Sequence, residues 1–538
     1  MNLAYDKFLK LAIKAKSRNR DDFLQLKKKI SKKLKLPLPS NADLRERYEK
    51  LVKDKKIKRN GFFEKILATK SIRTQSGVAV VAVLTKSYPC PGKCLYCPTE
   101  PDMPKSYLSN EPAVMRAIDA RFNPYSQVQN RLRSLALNGH KTDKIELIVM
   151  GGTFSCLPKN YQKWFITECF RACNDYPRPH RYASSRLGAK RLWQTCNKKS
   201  LFLEQKRNEK AKHRIIGLTL ETRPDYIDEK EIINFRQLGC TRVELGVQSI
   251  FNSVLKINKR GHDVKKTIEA TKLLKDAGFK INYHIMPGLP GSNVKKDYEM
   301  FKTLFSDSRF QPDMLKIYPT VVIKDSGLYK IWKGGKYKAL NDKKFEKLIV
   351  KIKNEVIPPY VRISRLIRDV PATSIVSGPI VSNLRQIISS RSKCPCIRCR
   401  EVRAEYKTAE KIILNRINYD ASEGKEIFLE YTSPDRKKLF AILRLRITDN
   451  AKHFIPALRN AALIREVHTY GKMTEVDKKD KLSPQHIGLG KKLIAEAEKI
   501  AAREFHMKKI VVISGVGVRD YYKKIGYRLK DTYMAKSI

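Results

Sequence analysis

Val78-Ala79-Val80-Val81-Ala82-Val83-Leu84-Thr85-Lys86-Ser87-Tyr88-Pro89-Cys90-Pro91-Gly92-Lys93-Cys94-Leu95-Tyr96-Cys97-Pro98 is an apolar run that opens into a cysteine loop. The run is β-branched and bounded by turn formers, which reads as a buried strand. It is also the longest apolar run found, far short of the roughly 20 residues a membrane span requires. The loop has the spacing C-x3-C-x2-C. Three thiolates can hold three irons of a [4Fe–4S] cube and leave the fourth iron open. Zinc fits less well, because it takes four ligands and this loop offers three. An open iron can bind the amino and carboxylate groups of S-adenosylmethionine, and one electron can then split that molecule into methionine and a 5′-deoxyadenosyl radical.

Downstream, strand-like and helix-like segments alternate. Strands are expected at Val78–Leu84, Ile145–Met150, Ile215–Leu220, Arg242–Gly246, Lys280–Met286 and Met314–Tyr318, with helical stretches such as Glu111–Leu137 and Asp263–Ala277 between them. Repeated βα units give a parallel sheet or barrel, whose function sits at the C-terminal strand ends. The cysteine loop follows the first strand at that end. Gly151-Gly152-Thr153 follows the second, where glycines allow a ligand close to the backbone; the methionine part of S-adenosylmethionine is the expected occupant. Gly246-Val247-Gln248-Ser249 and Pro287-Gly288-Leu289-Pro290-Gly291 either line the same mouth or serve as turns.

Three further regions flank this core. Residues 1–60 carry 20 Lys+Arg against 7 Asp+Glu. Phe8, Leu11, Ile13, Phe23, Leu26 and Ile30 recur there at helical spacing, and Ser40 or Asn41 can cap a further helix. Residues 178–213 read as a basic, exposed insertion. Cys394, Cys396 and Cys399 form a second triplet, C-x-C-x2-C, for which structural zinc with an unidentified fourth ligand is preferred over a second cluster. Cys156, Cys169, Cys173, Cys196 and Cys240 are scattered and read as small apolar residues. Beyond residue 400 the texture changes to strands at Phe428–Tyr431, Leu439–Ile447, Ala462–Tyr470 and Ile510–Ser514, with a helix at Leu489–Phe505. Gln485-His486-Ile487-Gly488-Leu489-Gly490 enters that helix, and such a glycine loop presents N–H groups to a pyrophosphate.

The formal net charge is +57, from 111 Lys+Arg against 54 Asp+Glu over 538 residues. Such an excess points to a polyanionic partner, for which nucleic acid is the usual choice. Six of eleven cysteines fall in the two triplets, a metal pattern of a reducing compartment and not a disulfide framework. The expected location is the cytoplasm, with no membrane association.

The Q-x-x-G-x-G loop, the strands around it and Tyr521-Tyr522-Lys523-Lys524-Ile525-Gly526-Tyr527 resemble the GNAT acetyltransferases. A cysteine radical loop and such a domain in one chain resemble the catalytic subunit of Elongator, including its single-chain archaeal and bacterial members. Runs that carry the resemblance include Glu146-Leu147-Ile148-Val149-Met150-Gly151-Gly152-Thr153-Phe154, Glu221-Thr222-Arg223-Pro224-Asp225 and Leu315-Lys316-Ile317-Tyr318-Pro319-Thr320. Two flanks differ: the family's usual Pro-Cys-Pro-His-Gly is Pro-Cys-Pro-Gly-Lys here, and its usual Pro-Gly-Gly is Pro98-Thr99-Glu100.

The implied architecture is α/β. A basic helical tRNA-binding region (1–70) precedes a partial (βα)6 radical SAM barrel (71–385). A cysteine-rich zinc-binding linker (386–402) then leads to a GNAT acetyltransferase-like domain (403–538). The implied activity is formation of 5-carboxymethyluridine at the wobble position of tRNA from S-adenosylmethionine and acetyl-CoA. The resemblance puts cluster ligands on Cys90, Cys94 and Cys97. It puts acetyl-CoA contacts on Lys144, Glu466, Val467, His468, Thr469, Leu489, Gly490, Lys491 and Tyr522, with Lys144 and Tyr522 catalytic. Implied partners are tRNA, an electron donor, and a second copy or Elongator-like subunits. The competing reading is a protein lysine acetyltransferase whose iron–sulfur cluster is structural; a non-catalytic RNA-binding scaffold is a third.

Overall fold

The computed structural model describes residues 2–15, 17, 19–67, 77–177, 198–403, 410–471 and 488–538. The six expected strands are present as β1 (Ala79–Leu84), β2 (Lys144–Met150), β3 (Arg214–Thr222), β4 (Arg242–Gln248), β5 (Lys280–Ile285) and β6 (Met314–Ile317). A seventh, β7 (Arg362–Arg365), extends the sheet beyond β6. Strand order follows chain order and every neighbouring pair is parallel, so the result is a half-barrel with β1 and β7 at its edges. Strand β7 is four residues long and carries two arginines, which hides it from any search for apolar runs.

Period-two alternation sets the two faces. Ala79, Val81, Val83, Ile145, Leu147 and Val149 are fully buried against Val128, Leu132 and Phe165 of the helices Pro124–Leu137 and Lys159–Asp175. Val80, Ala82, Lys144, Glu146, Ile148 and Met150 take the alternate positions and keep solvent access. The stretch expected as one helix over Glu111–Leu137 is two, Pro112–Asp119 and Pro124–Leu137. Arg121 and Phe122 adopt left-handed backbone between them, and Asn123 caps the second helix through its bond from the Ser126 N–H at 2.9 Å.

The N-terminal region packs the helices Asn2–Lys14, Arg20–Lys33, Asn41–Lys53 and Gly61–Leu67 around Phe8, Phe23, Tyr48 and Phe63. Ser40 and Asp43 form a capping box at the third helix.

The second sheet contains β8 (Ile413–Ala421), β9 (Gly424–Thr432), β10 (Leu439–Ile447), β11 (Ala462–Thr469), β12 (Lys509–Val512), β13 (Arg528–Lys530) and β14 (Tyr533–Ser537). Its order is β13-β14-β12-β11-β10-β9-β8, antiparallel except for β11–β12. Helix Leu489–Phe505 covers one face through Leu493, Ala497 and Ile500. Strand β8 was not expected, because its residues alternate half-buried and exposed at the sheet edge and include no apolar run.

The boundary near residue 400 is not a gap in the packing. Phe279, Leu463, Ile513, Tyr533, Cys394 and Cys396 belong to one continuous core. A Cβ on Gly278 would sit 3.2 Å from Leu463, and one on Gly515 would collide with the Ile216 carbonyl. Arg465 of β11 crosses the junction to Asp313 at 3.0 Å and also bonds to Glu426 of β9, in its own sheet, at 2.9 Å; both carboxylates are fully or nearly fully buried. Buried charges of this kind persist only when paired. Among the described residues, no helix is long and apolar enough to cross a membrane.

Candidate active sites at two ends of one half-barrel

Cys90, Cys94 and Cys97 lie on the loop after β1, at the C-terminal end of the sheet. Three arginines from distant parts of the chain converge on them, Arg223 and Arg260 buried and Arg368 half-buried. Arg260 Nη1 donates to Cys94 Sγ at 3.3 Å, and Nη2 donates to the Gly246 carbonyl. Arg223 is locked by two bonds to Asp225, at 2.9 and 2.8 Å, and its Nη2 donates to the Arg260 carbonyl. Arg223 Nη1 is buried without a hydrogen-bond partner and lies against Gly92. Arg368 faces Cys97 and pairs with Glu111 at 3.3 Å. Orphaned guanidinium N–H groups beside three thiols fit an anionic iron–sulfur cluster, whose corners spread its ligands further apart than a single ion does.

The glycine pair after β2 lies at the same mouth. Gly151 is at φ +143, and a Cβ there would strike Thr85. The Gly152 N–H points to Glu221 Oε2 at 3.4 Å. Thr153 is buried just behind. This leaves glycine backbone as the wall of the mouth, as an amino-acid ligand requires.

Below the mouth the lumen is polar. Tyr107 donates to Glu221 at 2.6 Å; Lys316 lies 4.0 Å from Glu221 and bonds to Glu244. His284 Nε2 is 2.9 Å from Glu244, Asn282 donates to it at 3.2 Å, and Arg242 ties Glu244 to Glu146. Burial alone would raise the Glu244 carboxyl, but Lys316, His284 and Arg242 outweigh that and hold it well below the usual range. Glu221, Glu244 and His284 bring ligand atoms within 4.8 Å of one another, yet the Lys316 ammonium already fills that space with a cation.

At the opposite end, β11 pairs with β10 up to Thr469 but with β12 only from Ala462 to Ile464. The two parallel strands therefore part, and Glu466, Val467, His468 and Thr469 line one side of the opening. The Glu466 carboxylate is held by Lys280 at 3.0 Å and Arg444 at 2.9 Å; burial would raise it, but Lys280 and Arg444 lower it to about 2. Its side chain is thus committed to the junction. Gly488 caps helix Leu489–Phe505 in left-handed backbone, φ +76. A Cβ on Gly490 would meet Thr469 Oγ1 at 3.5 Å, the Tyr521 hydroxyl at 3.6 Å and Val467 at 3.9 Å. A backbone cradle at a helix N-terminus inside a split sheet fits a coenzyme pyrophosphate and its arm. Gln485, His486 and Ile487 lie outside the described residues.

Residues 85–304 match the model of the Radical SAM superfamily, and residues 312–393 match that of the Radical_SAM C-terminal domain. A Methanocaldococcus infernus protein named tRNA uridine(34) acetyltransferase is 46% identical over 493 residues, 88% of each chain. The Bos taurus Elongator complex protein 3 is 39% identical over 492 residues, 88% of this chain and 86% of its own. The solved structure of the archaeal Methanocaldococcus infernus Elp3 lacking residues 1–46 superposes with a TM-score of 0.71 at 41% identity, covering 86% of this chain and all of the other. The chain belongs to the Elp3 family.

Within this Elp3-family chain, the other predicted residues fall as follows. Lys144 is the first residue of β2, at the end of the sheet opposite the cysteine loop, and burial lowers its pKa. Lys491 follows Gly490 in the first turn of the helix. Tyr522 is buried between Tyr521 and Tyr527, with ring centroids at 5.2 and 5.7 Å, while Tyr521 brings its hydroxyl to Gly490. Cys394, Cys396 and Cys399 bring their sulfurs within 4.8 Å of one another, which fits three ligands of a single ion. No fourth His, Cys, Asp or Glu joins them among the described residues; the Lys353 ammonium lies 3.7 Å from Cys399 Sγ. Cys169, Cys173 and Cys240 are buried as expected, whereas Cys156 is half-buried at the mouth, hydrogen-bonded to Tyr226; Cys196 lies outside the described residues. Sequence reading missed Arg223, Arg260, Arg368, Glu244, His284 and Tyr521. A charged residue at an inward strand position, as in Arg242-Val243-Glu244, is the signal that could have found part of this set.

Proposed function

We propose that this protein modifies tRNA, building a 5-carboxymethyl group on the wobble uridine from acetyl-CoA and S-adenosylmethionine. The observation that carries this reading is the pairing of a cysteine mouth flanked by arginines with a split sheet and a glycine-led helix N-terminus on one continuous core. The names of the archaeal relatives, tRNA uridine(34) acetyltransferases, agree with it.

When bound, the [4Fe–4S] cluster and S-adenosylmethionine supply a 5′-deoxyadenosyl radical, able to take a hydrogen from an acetyl methyl. Cys90, Cys94 and Cys97 hold the cluster, and Arg260 offsets the thiolate charge at Cys94. Gly151, Gly152 and Thr153 border the methionine end. In the cleft, Val467, Thr469, Leu489, Gly490 and Lys491 hold the coenzyme, and Glu466 and His468 fix the strand that carries them. Lys144 supports the acyl arm, and Tyr522, with Tyr521 beside it, closes the pocket near the thioester. Zinc is assigned to Cys394, Cys396 and Cys399 as a structural ion. The helices of residues 2–67 and the stretch Arg391–Arg403 offer lysines and arginines to the phosphates of tRNA, with affinity that falls as salt rises. An electron donor is required; Elongator-like subunits or a second copy are candidate partners, in the cytoplasm.

The test is mass spectrometry of nucleosides from tRNA incubated anaerobically with reconstituted protein, dithionite, S-adenosylmethionine and acetyl-CoA. The reading requires a carboxymethyluridine peak that disappears when either small molecule is omitted. If 5′-deoxyadenosine forms without a modified uridine, the acceptor is wrong. Acetylation of protein lysines that survives loss of Cys94 would favour the competing acetyltransferase reading.

A further inference from the structure

Helix Gly327–Lys333 and the turn after it have no role in the reaction proposed above, yet they cover the cysteine loop from the side of β6. The Leu328 N–H donates to the Leu95 carbonyl at 2.7 Å, the Thr99 N–H donates to the Asp325 carbonyl at 2.9 Å, and Pro98 pairs with Ser326 in a short antiparallel bridge. Leu328 is fully buried in one apolar cluster with Cys94 and Tyr96, and Cys97, Tyr329, Trp332 and Tyr337 pack against that cluster. The surface helix is thus one hydrogen bond and one residue away from Cys94. Gly151 and Gly152 follow β2, four strands away in the sheet, so this face is separate from the glycine wall of the mouth.

The outer side of this element is cationic around an aromatic centre. The stretch Lys324-Asp325-Ser326-Gly327-Leu328-Tyr329-Lys330-Ile331-Trp332-Lys333-Gly334-Gly335-Lys336-Tyr337-Lys338 holds five lysines against one aspartate. All five lysines are exposed, and none has an acidic partner among the described residues. Tyr329 and Trp332, both half-buried, stack with ring centroids 5.9 Å apart and planes 28° from parallel. Gly335, at φ +73, turns the chain back, and the Tyr337 hydroxyl donates to the Gly288 carbonyl at 2.6 Å, which holds Lys336 and Lys338 beside the helix. Helix Asn252–Ile257 flanks the loop as well: Val254 joins Leu328 in the apolar cluster, the Leu95 N–H donates to the Asn258 carbonyl at 3.3 Å, and Lys256 and Lys259 are exposed.

We propose that this lysine-rimmed aromatic face docks the electron donor, a small acidic protein that carries one reducing electron on an iron–sulfur or flavin centre. The inference rests on the cysteine loop holding a cluster, and it adds the surface through which that cluster is reduced. One electron leaves the reduced carrier and enters the oxidised [4Fe–4S] cluster; no bond forms or breaks. Charge complementarity steers an acidic partner to the face, and the aromatic pair supplies the apolar centre that such an interface needs. Electron-transfer encounters bury less than about 1,200 Å² in total, an area within reach of a short helix and its turn. A phosphate-binding surface would use the lysines but has no need of an aromatic pair packed against Cys97, so the placement favours a redox partner over RNA.

The test uses the reconstituted protein and two acidic probes, a plant-type [2Fe–2S] ferredoxin and a flavodoxin, each reduced enzymatically. Cluster reduction is followed by stopped-flow absorbance and electron spin resonance, and binding by calorimetry. Wild type should accept electrons from at least one probe, at a rate that falls about tenfold between low and high salt. The fourfold variant Lys330→Gln, Lys333→Gln, Lys336→Gln, Lys338→Gln should slow that reduction by about tenfold at low salt, weaken probe binding by a similar factor and lose the salt dependence. Reduction by dithionite, bound iron and tRNA affinity should stay near wild type. Lys333→Glu alone, expected to slow reduction by about threefold, decides the matter if the fourfold variant loses iron. An unchanged rate in both variants, or a wild type that dithionite reduces and neither probe does, overturns the proposal. A variant that loses tRNA affinity and keeps its reduction rate also overturns it and assigns the face to RNA. The proposed reaction fails separately: no carboxymethyluridine with dithionite as reductant rejects that reading and leaves the docking face.

Discussion

Two cysteine triplets of almost the same length behave oppositely. Cys394, Cys396 and Cys399 gather their sulfurs within 4.8 Å and meet one cation, Lys353. Cys90, Cys94 and Cys97 do not form so tight a group, and Arg223, Arg260 and Arg368 surround them. Ligand count is the same in both; the neighbourhood differs. A compact trio suits one ion, whose own charge balances the thiolates. A trio in which Cys94 and Cys97 touch while Cys90 stands apart, with guanidiniums beside it, suits a larger anionic group whose charge the protein must balance.

The sharpest way to break this contrast is Cys94→Ser. Product formation should fall by at least about 10⁴-fold, a loss of ~5 kcal/mol in transition-state stabilisation, and iron should be missing by metal analysis. Product from an iron-free variant would end the distinction. Next in size is Cys396→Ala. It should cost about 3–4 kcal/mol of stability by denaturant titration and remove one equivalent of zinc, because loss of a metal ranks among the large single-site effects. Iron retained at the first triplet alongside this loss would sharpen the division. Arg260→Met leaves every cysteine in place. If guanidinium charge is what the first triplet needs, 5′-deoxyadenosine formation should drop by about 10²-fold while bound iron stays near wild type. The smallest effect is expected of Lys353→Met, which removes one hydrogen bond to Cys399, worth about 1 kcal/mol. Zinc transfer to a chelator should speed up by about fivefold, and no change would mean Lys353 is only a neighbour.

What the chain declares in sequence is whatever depends on local pattern. The apolar run Val78–Leu84, the triplet spacings, the glycines after β2 and the loop before Leu489 all follow from neighbours within a dozen residues. Two strands without an apolar run, the four-residue β7 and the nine-residue β8, escape that logic. Strand β7 needs β6 beside it before Arg362-Ile363-Ser364-Arg365 becomes extended, and β8 is an edge strand held by β9. The arginine ring escapes for the same reason, since Arg260 reaches Cys94 from 166 positions away. The resemblance, not spacing, singled out Lys144, just before the expected strand Ile145–Met150; the structure makes it the first residue of β2, at the end opposite the cysteine loop. The resemblance singled out Tyr522 alone, and only the path of the chain shows that Tyr521 turns its hydroxyl toward Gly490 while Tyr522 packs between Tyr521 and Tyr527.

The hydrocarbon interior that runs from Phe279 through Leu463 to Tyr533 has a thermal consequence. Heat cannot loosen one chemistry and spare the other, because separating the halves would expose Arg465, Asp313 and Glu426 together. A calorimetric scan should record one endotherm for residues 77–538, and cutting the chain between the two sheets should yield two insoluble pieces. In the proposed reaction, shared melting would keep the radical-forming half from outliving the half that holds the coenzyme.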